Sequence, residues 1–282
     1  MLQTLEEKKA FVKKFNVFDD TFFEMVAKDK DAVQDILRII FHEPELEVIE
    51  LISQSSVKNL YGRSVRLDAL CKMKDGSYIN VEIQKADDDN HLKRTRFNAA
   101  CITANVSEPG EKFENVKDVY IVYISKFDVF QKGRRLYHVG RSILDYSDVT
   151  PVNDGETFIY VNGSTNVIAA AEDEDVAELM EFFKNSNGMN EKFKNLSERV
   201  DELKNEEREV LAMCKLVEDY ARDYARDYAK EYAKEYAEKQ KEAQTIAVAL
   251  KLIEGRVLDD EQIADATGLS LEKVRDLRTQ KM

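Results

Sequence analysis

The chain has 282 residues, a formal net charge of −13 and 43% hydrophobic residues. That is enough apolar material for one substantial core with an appended module, and no apolar run approaches the ~20 residues of a membrane span. Cys71, Cys101 and Cys214 are scattered and odd in number, which excludes a disulfide framework and a zinc site and predicts a cytoplasmic protein.

In chain order, residues 1–14 (MLQTLEEKKAFVKK) read as a charged helical start with no apolar stretch of a secretory signal. Residues 17–41 read as helix, because Phe22, Phe23, Val26, Val33, Ile36, Leu37, Ile40 and Phe41 recur at three- and four-residue steps. Asp19 or Asp20 is placed to cap its first turn, a break is expected near residues 29–31, and Pro44 ends it. Residues 47–53 (EVIELIS) form a first strand.

Residues 64–84 read as a β-hairpin, expected to be half-buried. Val65, Leu67, Ala69, Cys71 and Met73 alternate with Arg66, Asp68, Leu70 and Lys72; Ile79, Val81 and Ile83 alternate with Tyr78, Asn80, Glu82 and Gln84. A three-residue loop with Gly76 in the left-handed region pairs positions whose numbers sum to 150. Leu67, Ala69 and Cys71 then meet Ile83, Val81 and Ile79, as one-sided burial demands. The same register sets Asp68 across from Glu82, and Arg66 across from Gln84. Opposed carboxylates repel at a Cβ separation of roughly 5 Å. Either a divalent cation such as Mg²⁺ offsets that repulsion, or the pair is solvated surface charge.

Residues 91–106 read as helix, with Lys93, Arg94 and Arg96 in its first turns. They either neutralise phosphate or solvate a surface. Residues 118–125 (DVYIVYIS) are a buried strand. Thus far the order is αβββαβ. Residues 127–163 are β and loop in character, with RLYHVGRS and ETFIYVNG as short strands. Residues 90–141 carry a net +5, whereas the helical residues 172–209 carry a net −7. An acidic chain is a poor default nucleic-acid binder, but segregated basic charge weakens that objection. His42, His91 and His138 form no ligand spacing and read as structural.

Residues 220–237 repeat YARDYARDYAKEYAKEYA. Four residues turn a helix by about 400°, so each tyrosine stripe drifts about 40° per repeat. Asp223–Arg226, Asp227–Lys230 and Glu231–Lys234 are acid-first i,i+3 pairs. A spacer or an oligomerising coiled coil is expected. The end of the chain has a helix-turn-helix look, with Asp260 and Ser270 as caps and Ala264, Gly268 and Val274 at the small–turn–core spacing. It reads either as a DNA-binding hairpin or as a packing or protein-contact hairpin. The expected division is 1–165 for the core with its β extension, 166–245 for the acidic region with the repeat helix, and 246–282 for the hairpin.

The αβββαβ order with Asp68 and then Glu82-Ile83-Gln84 resembles the PD-(D/E)XK nuclease superfamily. The chain is most similar to its recombination-promoting nuclease/transposase branch, found in bacterial genomes, in which Gln often replaces the motif lysine. DDTFFE (19–24), RTRFNAACI (94–102), DVYIVYISKFDVF (118–130) and NDGETFIYVNG (153–163) share in the resemblance, which covers about residues 15–215. It implies a restriction-endonuclease-like α/β core with a long charged helical C-terminal extension. It further implies a DNA endonuclease dependent on Mg²⁺ or Mn²⁺. Asp68 and Glu82 would hold metal, Gln84 would orient water or a phosphate oxygen, and Lys93, Arg94 and Arg96 would contact DNA. Arg94 or Arg96 would supply the charge that Gln84 lacks. Asp20 matches the acidic start of the family's first helix, with an N-cap as its other reading. The Gln substitution leaves a second function open, a catalytically inactive transposase-related DNA-binding or assembly protein.

Overall fold

The computed structural model describes residues 4–53, 56–57, 65–144 and 149–279, which fall into two compact units, Met1–Val217 and Glu218–Met282. The first unit opens with helices α1 (Leu5–Val12), α2 (Asp20–Val26) and α3 (Lys30–Phe41). The expected break between α2 and α3 has a clear cause. The Asp29 carboxylate accepts the Asp31 and Ala32 amides at 2.9 and 3.0 Å and so starts a new helix. Asp19 occupies the N-cap position of α2, but its carboxylate takes the Asn16 amide and the Lys85 ammonium instead of a helix amide.

Strands β1 (Val48–Ser53), β2 (Ser56–Val57), β3 (Val65–Arg66), β4 (Ala69–Met73) and β5 (Tyr78–Gln84) follow, then α4 (His91–Val106) and β6 (Val119–Ser125). This is the αβββαβ order with two short strands inserted. The Arg66 side chain and the loop 58–64 lie outside the described residues. Strands β7 (Leu136–Val139), β8 (Arg141–Ile143), β9 (Thr150–Val152) and β10 (Glu156–Asn162) make up the β extension. A six-stranded sheet runs β1-β4-β5-β6-β10-β7, in which β5, β6 and β10 are mutually parallel and the remaining neighbours antiparallel.

The β4–β5 ladder pairs Ala69 with Val81, Leu70 with Asn80, Cys71 with Ile79 and Lys72 with Tyr78, the register predicted from the Gly76 loop. Gly76 has φ +90°, and Met73 and Ser77 close the turn. Two expectations fail here. The hairpin is not half-buried, because β6 pairs with β5 in parallel and the crossover helix α4 must cover the second face. Leu67 does not share a face with Ala69 and Cys71. It joins Leu70, Ala99, Ile102 and Ile121 in the cluster under α4, because the chain bends at Asp68.

The other face of the sheet carries the main core. Ala69, Cys71, Val81, Ile83, Val122 and Val161 pack there against α2, α3, α5 (Glu174–Asn185), α6 (Lys194–Asn205) and the first turns of α7 (Glu207–Gly255). The boundary expected at residue 165 is therefore not a boundary of the structure. The acidic helices α5 and α6 each have an apolar stripe, Val176, Leu179, Met180 and Phe183 on one and Leu196, Val200 and Leu203 on the other, all buried in this core. Buried Asp35 of α3 fastens the start of α6 by accepting the Leu196 amide at 3.2 Å.

In the second unit, α8 (Asp260–Thr267) and α9 (Leu271–Thr279) share an apolar cluster of Ile263, Val274 and Leu277 with Ala249 and Ile253 of α7. The cap of α8 is Asp259, in a capping box with Gln262; Asp260 instead pairs with Arg278 at 2.6 Å. Tyr224, Tyr228, Tyr232 and Tyr236 are exposed along α7, and Tyr224 stacks on Tyr228. The Asp223–Arg226 pair forms at 2.9 Å; the side chains of Asp227 and Glu231 lie outside the described residues. No described helix is long and apolar enough to cross a membrane.

Gly163 sits where β10 leaves the sheet, and its amide donates to the Ser125 carbonyl at 2.7 Å. A Cβ there would meet that same backbone oxygen at 2.8 Å and Phe18 Cζ at 2.6 Å. Gly163→Ala is expected to destabilise the protein by ~1–3 kcal/mol. Gly140→Ala, with open space around it, serves as the near-neutral control. Urea-unfolding midpoints measure the difference.

Candidate functional site

Glu82 lies on β5 on the face that α4 covers. Its register partner on β6 is Tyr123, and its side chain is fully buried at 0% exposure. One carboxylate oxygen, Oε1, accepts the Asn80 Nδ2 amide at 2.8 Å. The other, Oε2, accepts no hydrogen bond, and the Arg94 guanidinium stands 3.7 Å from it. Burial drives the Glu82 carboxyl upward to about 8, and the nearby Asp68 charge adds to the rise; Asn80, Arg94 and the Asp68 backbone act against it.

Asp68 reaches the same place by interrupting its strand. Continuing the ladder beyond Ala69–Val81 would give the Ile83 amide to the Leu67 carbonyl. Asp68 Oδ2 accepts that amide instead, at 3.0 Å. The bond explains the bend, fixes the carboxylate near Glu82 and turns Leu67 to the opposite face. The structure thus brings the two expected acids together, with Asp68 beyond the ladder's end.

Gln84 follows on the same face of β5. Its Nε2 donates to the Ala86 carbonyl at 2.9 Å and to Asp88 at 3.2 Å, and its Oε1 accepts from Arg94 Nη1 at 3.2 Å. Of the two arginines proposed from sequence, Arg94 is the one that meets Gln84 and Glu82. It remains 37% exposed, so one guanidinium joins the buried carboxylate to solvent. Lys93 and Arg96 are exposed on α4. Asp20, at the start of α2, stands in the same electrostatic field. The surrounding protein raises its carboxyl above the usual range, and Arg94 opposes the rise more than Lys85 does.

The first turn of α4 aims Arg94. Asn90 caps it through the Lys93 amide at 3.0 Å. Buried His91 bridges, with Nδ1 2.8 Å from the Tyr123 hydroxyl and Nε2 2.8 Å from Asp87. Thr95 adds a 2.8 Å bond to the Tyr160 hydroxyl. Burial raises the Tyr123 phenol, so it stays neutral beside Glu82. Sequence reasoning missed Asn80 and this His91 clamp. Asn80 carried one usable signal, a polar residue at the same strand parity as Glu82 in a segment followed by a helix and a buried apolar strand.

No group of three or more His, Cys, Asp or Glu among the described residues is arranged to hold a metal ion. The site offers two carboxylates, and Mg²⁺ commonly takes only one or two together with water and substrate phosphate. A buried carboxylate oxygen that accepts no hydrogen bond fits such a hard cation.

A family model described as PD-(D/E)XK nuclease family transposase matches residues 18–245. No curated protein and no solved structure matches the chain.

The raised Glu82 carboxyl makes stability depend on pH. Between its unfolded value near 4.5 and about 8, the folded state keeps a proton that the unfolded chain has released. In chelator, stability therefore falls as pH rises through that window. Glu82→Gln should flatten the fall, with an advantage over wild type at pH 8 that exceeds its advantage at pH 5 by at least ~1 kcal/mol. Thermal melts at the two pH values check this.

Proposed function

The chain belongs to the PD-(D/E)XK nuclease family of transposases, and from that membership we propose that it is a Mg²⁺-dependent DNA endonuclease that hydrolyses phosphodiester bonds. The observation that carries the proposal is the buried Glu82 carboxyl, close to the Asp68 charge, whose Oε2 atom accepts no hydrogen bond and stands 3.7 Å from the Arg94 guanidinium. A carboxylate in that position is costly unless a cation shares it.

In this reading Asp68 and Glu82 hold the metal. When bound, Mg²⁺ or Mn²⁺ supplies Lewis-acid polarisation of the scissile phosphate and makes water a better nucleophile at neutral pH. Gln84 orients that water or a phosphate oxygen. Its amide is neutral and cannot act as the usual lysine does. Arg94, already bonded to Gln84 Oε1, brings the positive charge to the phosphate. Exposed Lys93 and Arg96 on the same helix contact neighbouring DNA phosphates. Asp20, within the electrostatic reach of Arg94, adds a third acid to the site.

A second reading, a catalytically inactive transposase-related DNA-binding or assembly protein, is favoured by one observation: the Gln84 amide is already engaged with Ala86 and Asp88. Incubation with supercoiled plasmid in Mg²⁺ or Mn²⁺ separates the two. The endonuclease reading expects nicking that is lost in Asp68→Ala and Glu82→Ala and reduced ~10²-fold in Arg94→Ala. Nicking that persists equally in both acid variants would sink the site assignment. Silence of the wild type with retained DNA binding would favour the second reading.

The repeat helix supports a homo-oligomer, since its exposed tyrosines alternate with both signs of charge. Light scattering should give an oligomer for the full chain and a shift toward monomer on replacing Tyr228 and Tyr232 by Ser.

A further inference from the structure

We propose that Asn80 is a positioning residue for the metal site: its amide holds Glu82 by Oε1, so that Oε2 is the oxygen presented to the cation. This inference rests on the reading of Asp68 and Glu82 as the metal-holding pair.

The geometry of β5 brings the two residues together. Asn80 and Glu82 are two apart on a strand, so they project from one face. Asn80 is at 0% exposure, and its Nδ2 lies 2.8 Å from Glu82 Oε1. Its register partners are Leu70 on β4 and Ile121 on β6, both members of the apolar cluster beneath α4. The amide carbonyl, Oδ1, is buried and accepts no hydrogen bond. Of the polar capacity of this side chain, the bond to Glu82 is the part put to use.

That arrangement is poor for stability alone. A central strand buried among Leu and Ile side chains accommodates an apolar residue well. An Asn in that place leaves a carbonyl desolvated without a partner, and such groups in native structures call for an explanation. The explanation offered by the site is orientation. A carboxylate can present either oxygen, and a bond to one of them selects the other. With Oε1 held by Asn80, Oε2 is the oxygen that stands 3.7 Å from the Arg94 guanidinium. Partners that orient a metal-holding side chain in this way typically contribute ~10–100-fold in metal affinity.

The test is calorimetric titration of Mn²⁺ into the full-length protein, with thermal melts in chelator alongside. Asn80→Leu is near in volume and removes both the donor and the unsatisfied carbonyl. It is expected to bind Mn²⁺ ~10–100-fold more weakly, while melting in chelator at or above the wild-type temperature. Asn80→Ala should lose affinity to the same degree and covers the case in which Leu does not fit. A merely structural Asn80 gives the reverse pattern, a lower melting temperature with unchanged Mn²⁺ affinity, and that result in either folded variant overturns the proposal. Asp68→Ala separates this proposal from the reading beneath it. Wild-type binding that is lost in Asp68→Ala keeps the metal site whatever Asn80 does; a wild type that binds no Mn²⁺ removes the metal reading and this inference with it.

Discussion

The burial of one carboxylate governs the organisation around the candidate site. Glu82 sits beneath α4 with no solvent exposure, beside a second acid, where an isolated charge is strongly disfavoured. The surrounding groups answer that constraint. Asn80 donates to one oxygen, and Arg94 brings a guanidinium near the other while also reaching Gln84. Asp68 leaves the β4 ladder to take the Ile83 amide, which holds a second negative charge close by. A carboxyl kept dry beside a second acid, with one oxygen that accepts no hydrogen bond, marks this place as a functional-site candidate.

Holding Arg94 in place requires a rigid first turn in α4, and the sheet provides it. The Asp87–His91–Tyr123 chain and the Thr95–Tyr160 bond fasten this turn to β6 and β10. Those strands run parallel to β5, so Gln84, Ser125 and Asn162 lie side by side at their C-terminal ends. The Gly163 amide closes onto Ser125 there, and Phe18 packs against it. The acids, the arginine and the helix that carries it are thus all referenced to three neighbouring strands.

The C-terminal unit obeys a different rule. Over residues 218–245 the described side chains of α7 are mostly exposed, so this stretch draws its stability from helix propensity and i,i+3 ion pairs such as Asp223–Arg226. An apolar cluster returns only where α8 and α9 fold back on Ala249 and Ile253. Surface charge on α9 is mixed, with Glu272, Lys273, Arg275 and Asp276 exposed.

The sequence by itself determined what depends on neighbours in the chain. The break near residues 29–31, the glycine loop that sets the hairpin register and the span of α4 follow from local turn chemistry, capping and period, whereas Asp68 comes near Glu82 by leaving the ladder for the Ile83 amide. The family resemblance also lay in local segments, and the family match bears it out. Tertiary structure decided which of those polar residues are buried, because burial depends on what covers a face. A parallel β6 and its crossover helix turned an expected half-exposed hairpin into a central strand. That burial distinguished Asn80 from a surface amide and Arg94 from Arg96. It also drew the acidic helices α5 and α6 into the core, since their charge is visible in composition but their apolar stripes find a partner only in the folded chain.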